Sequence, residues 1–126
     1  MIYGVARLIE EVRALGYEVR EATGQGGEQF AVIAPFTVSV GRFVDRVIEL
    51  GLQATADFPR TASSAIHVRA APHLYDLSDS VQNVRNIQAS ALGAEWRYWS
   101  HNFGWERERN ARHLMTQINA VFLNAS

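Results

Sequence analysis

Side chains able to do covalent or metal chemistry are sparse in this sequence, and two of the usual groups of acyl transfer are missing. The chain has no cysteine, so it offers no thiolate nucleophile, no thioester, no disulfide and no zinc–sulfur site. It has no lysine either, since all twelve basic residues are arginine, and the N-terminus is therefore its one primary amine. Replacement of lysine by arginine in a GC-rich genome accounts for that fact without any functional reason. Ser100 and His101 suggest a nucleophile and a base, but neighbours in sequence rarely point at each other productively, and no third orienting group is identifiable. The four histidines, His67, His73, His101 and His113, lack the i, i+4 pairing or close spacing of a readable metal site, so no metal and no cofactor is expected. Gly24, Gly26 and Gly27 lack the Lys-Ser/Thr of a phosphate loop and precede a strand pattern, which makes them a hairpin tip. Glu10/Glu11 and Glu106/Glu108 lie beside arginines and read as solvated charged faces, not paired catalytic carboxylates. Arg107, Arg109 and Arg112 form at most a modest patch for an acidic partner.

The elements that must position these groups follow from hydrophobic spacing. Ile2, Val5, Ile9 and Val12 recur at helical intervals, which predicts an amphipathic helix over residues 2–15 closed at Leu15-Gly16. Strands are expected over 17–22 and over 30–33, the second halted by Pro35, with the glycine-rich turn between them. Ile48, Leu50, Leu52 and Ala54 share one face of a third strand, although a helix over 42–50 competes for the same apolar run. Asp57-Phe58-Pro59-Arg60 breaks the pattern, and residues 64–69 read as a short fourth strand. Residues 70–92 read as a long irregular loop, and residues 84–95 are open to strand, turn or short helix. Ala111, Leu114, Met115, Ile118, Val121 and Phe122 recur at helical spacing after Asn110, a favourable N-cap. Trp96, Trp99 and Trp105 are read mainly as core anchors, with one of them at a partner surface.

The 126 residues suit one domain, and 48% hydrophobic against 20% charged residues supports a core without staples. A formal net charge of −1 leaves no broad positive field for nucleic acid or an anionic membrane. No apolar run approaches the roughly 20 residues of a membrane span, and Met1-Ile2-Tyr3-Gly4 has no export leader, so a cytoplasmic protein is expected.

Three motifs on this framework resemble the ubiquitin-conjugating enzyme superfamily: the turn Asp57-Phe58-Pro59, the earlier strand turn Gly41-Arg42-Phe43, and Trp96 ahead of the terminal helix. The segment Trp96-Arg97-Tyr98-Trp99-Ser100-His101-Asn102, with Trp105 following, is similar to the bacterial branch. The resemblance implies an α+β domain over residues 1–126, with an N-terminal helix, a four-stranded antiparallel meander, a long loop and a C-terminal helix, UBC-like or RWD-like. It sets Gln88 at the position of the nucleophilic cysteine, between Ile87 and Leu92, and His73 at the histidine of the His-Pro-Asn turn, where Leu74 and Tyr75 replace Pro-Asn. Gln88 cannot form a thioester. The implied protein is a non-catalytic binding module, a pseudoenzyme of a bacterial ubiquitin-like modification system with a possible antiphage role. Its implied partners are a ubiquitin-like protein or a conjugating or activating enzyme, the latter as a heterodimer, with Gln88, His73, Tyr75, Trp99 and His101 as implied binding residues. The lack of lysine then has a second meaning, because such a component offers no side-chain amine to an activated C-terminus held beside it. Two alternatives stand beside it: a conjugating enzyme whose cysteine, at 88, 89 or 91, has been replaced or which uses another residue, and an RWD-like interaction domain unconnected with ubiquitin-like proteins.

Overall fold

The computed structural model describes residues 3–60, 65–70, 74–75, 86–100 and 110–124. In chain order they form helix α1 (Val5–Ala14), strands β1 (Val19–Thr23), β2 (Gln29–Thr37), β3 (Val47–Gln53), β4 (Ala65–Arg69), β5 (Asn86–Ser90) and β6 (Gly93–Ser100), and helix α2 (Ala111–Asn124). The protein is therefore α+β, and its sheet has six strands where four were expected. All pairings are antiparallel in the order β1-β2-β3-β4-β6-β5, so β6 lies between β4 and the edge strand β5.

Helix α1 forms where the apolar spacing demands it and buries Val5, Leu8 and Val12. Its contacts run to β1, β2 and α2. Helix α2 starts after Asn110, whose Oδ1 accepts the His113 N–H at 2.9 Å, while Glu11 of α1 accepts the Ala111 N–H at 2.7 Å. Carboxylate and amide oxygens thus occupy the positive end of α2 and satisfy donors that the helix cannot. Both helices cover one face of the sheet. Cross-strand partners share a face, and the rows Ile33–Leu50–Val68 and Ile66–Trp99–Ile87 point toward the helices. The core gathers Leu8, Val12, Phe58, Trp99, Ile118 and Phe122, with the Trp99 and Phe122 rings 5.5 Å apart.

Pro35 does not end β2. The strand continues to Thr37 because its register against β3 shifts between Ile33 and Phe36, which leaves the proline outside the ladder. The competing helix over 42–50 is absent: 41–46 is a turn, and β3 begins at Val47. Gly41 sits in that turn at φ 84° with its backbone against the Phe122 carbonyl, into which any side chain would run. The expected long loop is interrupted by β5 at residues 86–90, and the remainder of 71–85 lies outside the described residues apart from Leu74 and Tyr75.

Candidate functional site

The face of the sheet away from the helices carries a second, smaller cluster. Along one row, Val32, Gly51, His67, Tyr98 and Gln88 are successive cross-strand partners on β2, β3, β4, β6 and β5. Phe30, Val32 and Trp96 are buried here, with Ala22, Ala34, Ala91 and Leu92 packed around them. Gly51 makes the packing possible. A Cβ on it would lie 2.6 Å from Leu92 Cδ1, closer than side chains approach, and in tight contact with His67 Cβ at 3.2 Å and the Trp96 ring at 3.3 Å.

His67 occupies the middle of this cluster and is 2% exposed. Its ring is edge-to-face with Phe30 at 4.8 Å and with Tyr98 at 5.2 Å. Nδ1 is 2.6 Å from the Ser90 hydroxyl, whose oxygen also accepts the Leu92 N–H at 3.0 Å. The hydroxyl has a second lone pair and its own proton, so it can accept from a protonated Nδ1 or donate to a bare one, and the two ring tautomers share this contact. Nε2 has no hydrogen-bond partner among the described residues. Burial lowers the imidazole pKa from an ordinary 6.5 to about 4, against a weaker opposing pull from the Glu28 carboxylate. At neutral pH His67 is an uncharged, weakly basic ring. A Ser–His contact of this length invites a hydrolase reading, but Ser90 is only 7% exposed, and a base of such low pKa activates a hydroxyl poorly. The pair holds the β5–β6 turn in place. Beside it, exposed Arg20, Arg69 and Glu95 and the half-buried Glu49 form a chain of ion pairs drawn from four strands: Arg20 to Glu49 at 3.1 Å, Glu49 to Arg69 at 2.6 Å, and Arg69 to Glu95 at 2.7 Å.

The residues singled out from sequence fall in different places. Gln88 is exposed on edge strand β5, on the outer face opposite Tyr98, while Ile87 before it is buried toward the helices opposite Trp99. Trp99 is fully buried and packs 5.2 Å from Tyr75, which is 8% exposed. Gln88 is thus separated from Tyr75 and Trp99 by the sheet itself. His73 and His101 lie outside the described residues, as do Trp105, Glu106, Arg107, Glu108 and Arg109. Ser100 ends β6, its backbone paired with Ala65 and Asn86. His113 contacts Gln117 one helical turn on, with 2.7 Å between His Nε2 and Gln Nε2. Phe58 of the Asp57-Phe58-Pro59 turn is a core residue whose carbonyl accepts the Gly4 N–H at 3.0 Å. The His67–Ser90 pair was not found from sequence, because the two residues are 23 apart and meet only through β6. The one signal was a histidine interrupting the apolar alternation of Ile66 and Val68.

Among the described residues no group of three or more histidines and carboxylates is placed to hold a metal ion, and no helix is long and apolar enough to cross a membrane. No protein-family model, curated protein or solved structure matches the chain.

Proposed function

We propose that the protein is a non-catalytic, ubiquitin-conjugating-enzyme-like binding module that docks a ubiquitin-like protein, or a partner conjugating or activating enzyme, on its β5–β6 hairpin. The observation that supports this reading is the exposed carboxamide of Gln88 on an edge strand, at the position the resemblance gives to a nucleophile. An amide side chain there can hydrogen-bond a bound chain but cannot accept its acyl group. The second reading is a plain α+β interaction domain of the RWD-like type; the two strands beyond the expected four depart from both readings equally. Gene neighbourhood and titration separate them: adjacent genes for a ubiquitin-like protein and an activating enzyme support docking, their absence supports the second reading, and the labelled protein is titrated with such a ubiquitin-like protein. Docking gives micromolar binding, near −8 kcal/mol, with NMR shifts concentrated on residues 86–99 and an affinity loss of tenfold or more in Gln88→Arg. Silence at millimolar concentration removes the leading reading. Formation of a thioester by Gln88→Cys, Ala89→Cys or Ala91→Cys with a cognate activating enzyme would instead identify a displaced catalyst.

A further inference from the structure

The β1–β2 turn and the β5–β6 turn belong to hairpins separated in the sheet order by β3 and β4, yet they touch. The Gln25 N–H donates to the Ala91 carbonyl at 2.8 Å, and Gly24 lies so close to Ala91 that a Cβ on it would sit 3.2 Å from the alanine Cβ. The sheet is curled enough for its two ends to meet over its own outer face. Near this joint lie Leu92, seated on Gly51, and the enclosed His67–Ser90 pair.

We propose that this turn-to-turn joint is a latch closed over a neutral imidazole, and that a proton on His67 opens it, freeing the β5–β6 turn and uncovering Phe30, Leu92 and Trp96. The inference stands apart from the docking reading above. The enclosure is what gives the proton its leverage. Ser90 and the rings of Phe30, Trp96 and Tyr98 supply no negative charge, and Nε2 meets no acceptor among the described residues. The groups that bear on a cation here can be named element by element. Glu28, ahead of β2, is the carboxylate whose charge reaches His67, and its Oε1 already accepts the Gly26 N–H at 2.8 Å. Glu49 of β3 and Glu95 of β6 pair with Arg69 of β4, and Arg20 of β1 pairs with Glu49. Tyr98 of β6 is a phenol, and Ser90 of β5 carries no charge. A protonated His67 therefore gains most by reaching water, and the joint is made by Ala91, next in the chain to the Ser90 that meets the ring, with Gly24 packed on Phe30.

The sign follows from linkage. In the open form the imidazole titrates near 6.5 and in the closed form near 4, so the closed form is fully favoured above pH 6.5 and loses ground as pH falls toward 4. Between pH 8 and pH 5 the opening constant should rise ~30-fold. Hydrogen exchange, corrected for its intrinsic pH dependence, reads this at the Gln25 amide. Its protection should lie well below that of the Leu50 amide in β3, fall by about 30-fold over that range, and become flat in His67→Gln. Protection of Gln25 that is independent of pH, or equal to that of Leu50 at every pH, overturns the proposal, as does an unchanged slope in His67→Gln. If that variant does not fold, Gln25→Pro tests the coupling from the other side. Loss of the amide donor must raise the His67 pKa, followed by NMR, from about 4 toward 6.5, and an unmoved value also overturns the latch.

Discussion

The two faces of the sheet both bury tryptophan, and they do so by different means. Trp99 on the inner face is held between the sheet and α2, with Tyr75 and Phe122 on either side and continuous apolar contact through both helices. Among the described residues no helix lies above Trp96 on the outer face. It is covered by the turns of its own sheet, next to a glycine that makes room and a polar pair that fixes the turn. The inner core draws on the full hydrophobic contribution of two helices, on the order of 1.5–3 kcal/mol per large buried side chain. Among the described residues the outer cluster buries three apolar side chains beside the His67–Ser90 pair and depends on geometry, so it belongs to the low-stability end of the molecule.

Truncation tests this difference most severely. Trp99→Ala leaves a cavity enclosed by ordered neighbours and should cost about 3–5 kcal/mol in urea denaturation, enough to unfold a marginal domain. Trp96→Ala removes a ring that is 7% exposed and bordered by turns able to settle inward, and should cost clearly less. Equal losses would mean that the outer cluster is as firmly built as the inner one.

Adding volume is the sharper probe of the outer cluster, with a smaller effect. Gly51→Ala places a methyl 2.6 Å from Leu92 Cδ1, which can swing away, and 3.2 Å from His67 Cβ, which is fixed to the backbone of β4. Overpacking of this kind should cost ~1–3 kcal/mol. The local signature matters more than the total. Exchange at the Gln25 amide should accelerate by more than the global loss of stability while helix α2 amides follow the global change alone, whereas equal acceleration would show that the two faces unfold as one.

The inner architecture was readable from sequence because its elements bury one face and expose the other. The spacing of Val5, Ile9 and Val12, the alternation of Ile48, Leu50 and Leu52, and the run from Leu114 to Phe122 each give a clean period, and an element forms on each, although α1 begins at Val5 where 2–15 was expected. The β5–β6 hairpin was not readable, because β6 buries aromatic rings on both faces. Trp96 faces outward and Trp99 inward, so the alternation that marks a strand is lost. Residue 88, the position the resemblance singles out, lies within strand β5 on the sheet edge. The outer cluster depends on sheet curl, which brings Gln25 to Ala91 across 66 positions of sequence, and no local pattern encodes such a meeting.

The smallest expected effect concerns how the inner core is closed at its end. Asn110 caps α2 by accepting the His113 N–H, and Glu11, itself paired with Arg7, accepts the Ala111 N–H from across the helix interface. Asn110→Ala removes one of these two acceptors and should cost about 1 kcal/mol by urea denaturation, since the freed amide finds water at the helix end. Because the cap touches only the helical layer, the Gln25 amide should keep its protection, relative to global unfolding, while the first turn of α2 frays. A loss at Gln25 exceeding the global change would couple the helix end to the outer face, and the separation between the two sides of the sheet would no longer hold.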